Sequence, residues 1–147
     1  MKSILKLVAI VGLVAMISSG CAVNRATATV DPGTDLTKLK TMYVKKIPAD
    51  NGGTNVLIAD KLASKGVSVT TGEGAAPAGV DALVTYIDRW MWDITMYMLE
   101  LTVTLRDPNT NLPLASGNSF HTSLTRLSPK EMVNEVIDNI YNKAAAK

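Results

Sequence analysis

Ala82-Leu-Val-Thr-Tyr-Ile-Asp-Arg-Trp-Met-Trp-Asp-Ile-Thr-Met-Tyr-Met-Leu-Glu-Leu-Thr-Val-Thr-Leu-Arg106 is the strongest β-forming stretch of the 147-residue chain, and its reading decides the fold class. Ala82 to Trp92 is almost continuously apolar. Leu99, Leu101, Val103 and Leu105 then alternate with Glu100, Thr102, Thr104 and Arg106. Period-two alternation places the leucines and the valine on one face of a strand and the polar residues on the other. The pattern predicts two long strands, the second with one dry and one wet face. Asp107-Pro-Asn-Thr-Asn111 follows as a turn, since Pro and Asx residues favour turn dihedrals, and Leu112 to Leu124 returns as a third strand. Gly117 inside that strand marks a bulge or a close approach of another element.

Further elements are predicted on either side. Downstream, Ser128-Pro-Lys-Glu131 has the form of a capping box with Pro at the first helical position, and Leu127 can staple onto Met132. Val133, Val136, Ile137, Ile140 and Ala144 form the apolar stripe of the helix it opens. Upstream, Ala26 to Asp31, Thr41 to Ile47 and Val67 to Thr70 read as short strands. A helix from about Asn55 to Lys65 lies between the last two, with N-cap candidates from Asn51 to Asn55 and Gly66 as its left-handed stop. Gly72 to Gly79 is a loop. Its Gly72-Glu-Gly74 has neither the third glycine nor the following helix of a phosphate-binding loop. The expectation is an α+β domain with an antiparallel-dominated sheet of five to six strands and two helices packed on one face.

The amino terminus carries the most specific signal. Lys2 and Lys6 precede Leu7 to Ile17, eleven residues without a charge, and the run ends in Ser18-Ser19-Gly20-Cys21. Eleven residues suit the core of a signal peptide, whereas spanning a bilayer takes about 20. The Ser-Ser-Gly-Cys sequence resembles the lipobox of bacterial lipoproteins, with Ser18 standing where that family prefers Leu. The resemblance implies cleavage after Gly20 and acylation of Cys21 with palmitate-type chains. Ala22 in place of Asp implies sorting to the outer membrane in a Gram-negative host. Residues 1–20 are thus expected to be a signal peptide, 21–30 the lipidated cysteine and a tether, and 31–147 one α+β domain.

This division changes how the composition reads. The chain has 15 Lys and Arg against 13 Asp and Glu. Removing Lys2 and Lys6 leaves the two signs equal, so the basic balance implies no nucleic-acid partner. Cys21 is the sole cysteine, which excludes an internal disulfide and a thiolate metal site.

Candidate chemistry is sparse. His121 is the only histidine and is expected to be half-exposed on a strand. A zinc site needs three or four ligands, and a Ser-His-Asp triad would have to use His121 without any Gly-x-Ser-x-Gly elbow. Asp88, Asp93 and Glu100 are the candidate carboxylates. Asp88 and Asp93 are expected on opposite faces of a regular strand, Asp88 and Arg89 at a surface and Asp93 in the turn. No cofactor, no metal and no catalysis are expected. The segment from Asp88 to Leu99 holds both tryptophans and three of the seven methionines. Trp90 and Trp92 should share a face, opposed by Met91, and with Tyr97 they would form a contact patch if that face is open.

The order of elements is similar to that of small envelope lipoproteins of unknown function and of lipoproteins that assist lipopolysaccharide assembly. Asp35 to Val44 entering a strand and Leu57 to Val69 with its helix-Gly-strand join carry that similarity. It implies a membrane-anchored, noncatalytic periplasmic domain that binds a partner or assists envelope assembly. A lipid or lipopolysaccharide carrier is the alternative, and a hydrolase ranks third. The implied partners are the membrane, through the lipid on Cys21, and an envelope protein or lipid.

Overall fold

In a computed structural model the described residues are 23–146, so the proposed leader, Cys21 and Ala22 lie outside them. Six strands form one sheet: β1 (Asn24–Val30), β2 (Thr41–Lys45), β3 (Ser68–Gly72), β4 (Ala82–Asp93), β5 (Thr95–Arg106) and β6 (Pro113–His121). Two helices accompany them, α1 (Thr54–Ala63) between β2 and β3, and α2 (Pro129–Ala145) after β6. The spatial order is β1-β6-β5-β4-β2-β3.

The α+β class holds, but the sheet is mixed and not antiparallel-dominated. β1, β6, β5 and β4 pair antiparallel, whereas β2 runs parallel to both β3 and β4. The cause is connectivity. A tight hairpin reverses the chain, but a helix or long loop between strands lets the second enter from the same end as the first. α1 joins β2 to β3 in that way, and the loop over residues 73–81 returns the chain to start β4 beside β2. Asp81 fixes this junction: its carboxylate accepts from the Lys40 and Thr41 amides, both at 2.8 Å, and from the Thr41 hydroxyl at 3.0 Å.

One core holds the layers together. Val84 from β4, Leu101, Val103 and Leu105 from β5, and Met42 and Val44 from β2 share it with Ile58 and Leu62 of α1 and with Met132, Val136, Ile137 and Ile140 of α2. The alternation in β5 buries Leu101, Val103 and Leu105 beneath the helices and leaves Thr102, Thr104 and Arg106 on the other face, while Leu99, expected on the dry face, is half-buried where the register with β4 shifts. α2 begins as read: Ser128 accepts from the Glu131 amide, and Glu131 reaches back to the Ser128 amide at 2.8 Å. Gly117 is a close approach. A methyl group there would come within 2.9 Å of Val136 Cγ1 and 3.0 Å of Ile140 Cγ1.

The short strand expected over Ala26 to Asp31 is edge strand β1, which starts earlier, at Asn24, within residues also expected to be tether, and pairs with β6 from Asn24 opposite His121 to Val30 opposite Ala115. Small polar residues lack a burial signal, yet an edge strand needs mainly a neighbour for its backbone groups. No helix among the described residues is long and apolar enough to cross a membrane.

Candidate contact surface

β4 and β5 outrun the rest of the sheet. β4 pairs with β2 only over Ala82 to Val84, and β6 pairs with β5 only from Glu100 to Arg106. Beyond Arg89 and Glu100 the two strands pair only with each other, Trp90 opposite Met98, Met91 opposite Tyr97 and Trp92 opposite Met96. Residues 90–98 thus make a two-stranded ribbon projecting from one end of the molecule. A register shift between Arg89 and Trp90 marks its base. Met98 and Leu101 are consequently both fully buried although their separation is odd, because an extra residue inverts the alternation.

The ribbon's tip is apolar. Trp92 is 70% exposed, Ile94 85% and Trp90 37%, and Met91 and Met96 are exposed as well. Ile94 turns the chain with φ of +61°, a left-handed backbone that costs an ordinary L residue about 1–2 kcal/mol. Trp90 is less free because its indole Nε1 donates to Asp88 Oδ2 at 3.1 Å, and its six-membered ring lies beside Gly52. Trp90 and Trp92 are both on the helix-bearing side of the ribbon, past the point where helices cover it. Tyr97 is the exception in the expected patch. It is only 8% exposed, and the Arg126 guanidinium stacks over its ring at 4.9 Å while donating to Thr95 Oγ1 at 2.9 Å. A cation held over the face of an aromatic ring is attracted by its negative quadrupole, so Tyr97 supports the ribbon from beneath.

The base of the ribbon is polar and closely tied. Asp88 also accepts from Thr54 Oγ1 at 2.9 Å, which links β4 to the first turn of α1. Glu100 receives Arg89 at 2.9 Å and Asn118 at 2.9 Å. The Asn118 amide first, and Arg89 with it, outweigh burial and hold the Glu100 carboxyl below its usual range. Asp50 was missed as a structural residue in the sequence. Its carboxylate accepts from the amides of Gly52, Thr54 and Asn55 and from the Tyr86 hydroxyl at 2.6 Å. Burial opposes its charge, but the Tyr86 hydroxyl and these amides outweigh it and lower its pKa. Burial, with the Asp50 carboxylate beside it, raises that of Tyr86. Asp50 thus caps α1 from three residues before Gly53, where the sequence pointed to Asn51 to Asn55.

His121 is not half-exposed. It is 4% exposed on the helix-facing side of β6, with Nε2 2.8 Å from Glu135 Oε2 on α2. Ser119 Oγ donates to the same oxygen at 2.6 Å. Both side chains converge on the carboxylate, whereas a hydrolytic triad requires the histidine to hydrogen-bond the serine. Asp93 sits beside the tip, Asp88 and Arg89 at the base, and no three carboxylate or histidine groups cluster as a metal site among the described residues.

No protein-family model matches the sequence, and no curated protein matches it. Among solved structures, the PelC dodecamer from Paraburkholderia phytofirmans aligns with a TM-score of 0.59 at 15% identity, over 80% of this chain and 98% of that one. This chain shares the fold of PelC. A PelC point variant in a second crystal form aligns equally well, at 0.58. TolB from Acinetobacter baumannii aligns at 0.54 and 15% identity over 83% of this chain, which spans about a third of TolB.

Proposed function

We propose that the chain is a bacterial envelope lipoprotein, anchored through acylated Cys21 to the periplasmic face of the outer membrane of a Gram-negative host. Its domain acts without catalysis as a binding or assembly module, and the ribbon of residues 90–98 is its contact surface. The observation that carries this reading is the exposure of Trp92, Ile94, Met91 and Met96 together on a projecting element. Burying such side chains contributes about 1.5–3 kcal/mol each, so a soluble chain retains them on a protrusion where contact recovers that energy. The pairing of Ser119 and His121 to one Glu135 oxygen supports the noncatalytic part. PelC is a dodecamer, which supports an assembling use of the same fold.

A lipid carrier is the second reading. It is favoured by a cavity of about 350 Å³ whose lining includes Leu36, Tyr141 and Ala144.

The anchor is tested by feeding cells an alkyne-tagged palmitate. The chain should take up the label and fractionate with the outer membrane, and Cys21→Ser should abolish both. Label retained in Cys21→Ser overturns the lipoprotein reading.

A further inference from the structure

The strand register places the start of the described chain at the same end as the ribbon. Arg25, Phe120, Glu100 and Arg89 form one continuous row across β1, β6, β5 and β4. Asn24 and His121 stand one residue beyond that row, level with Trp90. Val23 is held there by its carbonyl, which accepts from the Thr122 amide at 3.4 Å. Cys21 is two residues further out in sequence, hence within about 7 Å of Val23 at full extension. β1 and β4 are three strand spacings apart, about 14 Å. Ile94 reaches four residues past Trp90, about 13 Å at strand rise. The sheet's twist splays the two directions without moving either to another end. Whatever surface takes the acyl chains of Cys21 therefore lies within reach of the ribbon tip.

The exposed apolar side chains have the same polarity. Among the described residues ten large hydrophobics are exposed. The five of the ribbon, with Val23 and with Leu124 just past the end of β6, are gathered at this end. Leu112, in the β5–β6 turn, marks the opposite one.

Resting on the lipoprotein reading, we infer that the ribbon is a second membrane anchor: Trp90, Trp92, Ile94 and Met96 enter the interfacial layer of the bilayer that holds the lipid on Cys21. Indoles settle at headgroup depth, where the ring is in apolar surroundings and the N–H in polar ones. Asp93 beside the tip makes deeper insertion costly and so sets the depth at the interface. Arg126, fixed over Tyr97, lies at the level of lipid phosphates. With two attachments flanking the sheet, the lipoprotein is held in one orientation instead of swinging on a single chain.

Both tryptophans of the protein are in the ribbon, so intrinsic fluorescence reports this contact alone. The mature chain carrying Cys21→Ser, without lipid, is mixed with vesicles of phosphatidylcholine and phosphatidylglycerol in equal parts. Emission should shift to the blue and be quenched by brominated acyl chains. The double variant Trp92→Ser/Ile94→Asn should retain its far-UV circular dichroism while its vesicle partitioning falls about a hundredfold or more, as loss of two large apolar side chains dictates. Leu112→Ser, at the far end, should partition as the unsubstituted chain does. An unshifted, unquenched spectrum in a folded protein overturns the inference. So does equal loss with Leu112→Ser, or a blue shift with self-association in the absence of vesicles, which would assign the ribbon to a second copy. Palmitate labelling at Cys21 is independent of all these outcomes, so the second anchor can fail while the lipoprotein reading stands.

Discussion

Asp50 shows how much one buried carboxylate can organise. Three backbone amides and one phenol converge on it, and removing the side chain would leave the Thr54 and Asn55 amides and the Tyr86 hydroxyl buried without that partner. Asp50→Ala should therefore destabilise the domain by about 2–4 kcal/mol in urea titrations at neutral pH. Its pKa in the folded state is below the ordinary value of 3.8. Its stabilising contribution is consequently complete above that value and is lost as pH falls through the lowered folded value. The gap between wild type and Asp50→Ala should narrow in acid, and a constant gap down to low pH would contradict the assignment. Nothing local announced this role. Asp50 precedes the helix by four residues, and only the tertiary position of Tyr86, 36 residues away, completes its shell.

At the level of elements, the α2–β6 contact sets the thickness of the core. Gly117 lets Val136 and Ile140 approach the sheet backbone. Gly117→Ala should lower stability by about 1–3 kcal/mol through overpacking, seen as a reduced urea midpoint with an unchanged slope. No change in midpoint would show that the helix can yield. The Gly117 contact, the capping box of Ser128 and Glu131, and the β5 alternation from Leu101 to Leu105 were all legible, because each is local chemistry with a fixed spacing. The parallel placement of β2 was not. Strand direction depends on where a connection re-enters the sheet, and the chain between β2, β3 and β4 carries no residue that states it.

Across the whole molecule, edge strand β1 ties the first described residues into the sheet. A chain beginning at residue 31 loses the strand that pairs with β6 from Ala115 to His121, so its melting temperature should fall markedly relative to a chain beginning at residue 23. Equal melting temperatures, followed by circular dichroism, would restore the tether reading. The same strand carries a mechanical consequence. On the proposed lipoprotein reading, only the few residues before Asn24 would separate the domain from a lipid on Cys21, and the ribbon would be brought to the surface where that lipid is embedded.

The sequence by itself determined the α+β class, most of the strands and helices, and the concentration of tryptophan and methionine between Asp88 and Leu99, since these follow from local composition and periodicity. Tertiary structure alone decided that Trp92 and Ile94 are exposed while Tyr97 is covered by Arg126, that His121 is buried against Glu135, and that the ribbon and the start of β1 share an end. Exposure and relative position depend on which residues distant in sequence arrive as neighbours. Here the shortness of β2 and β6 against the length of β4 and β5 left the apolar tip without one.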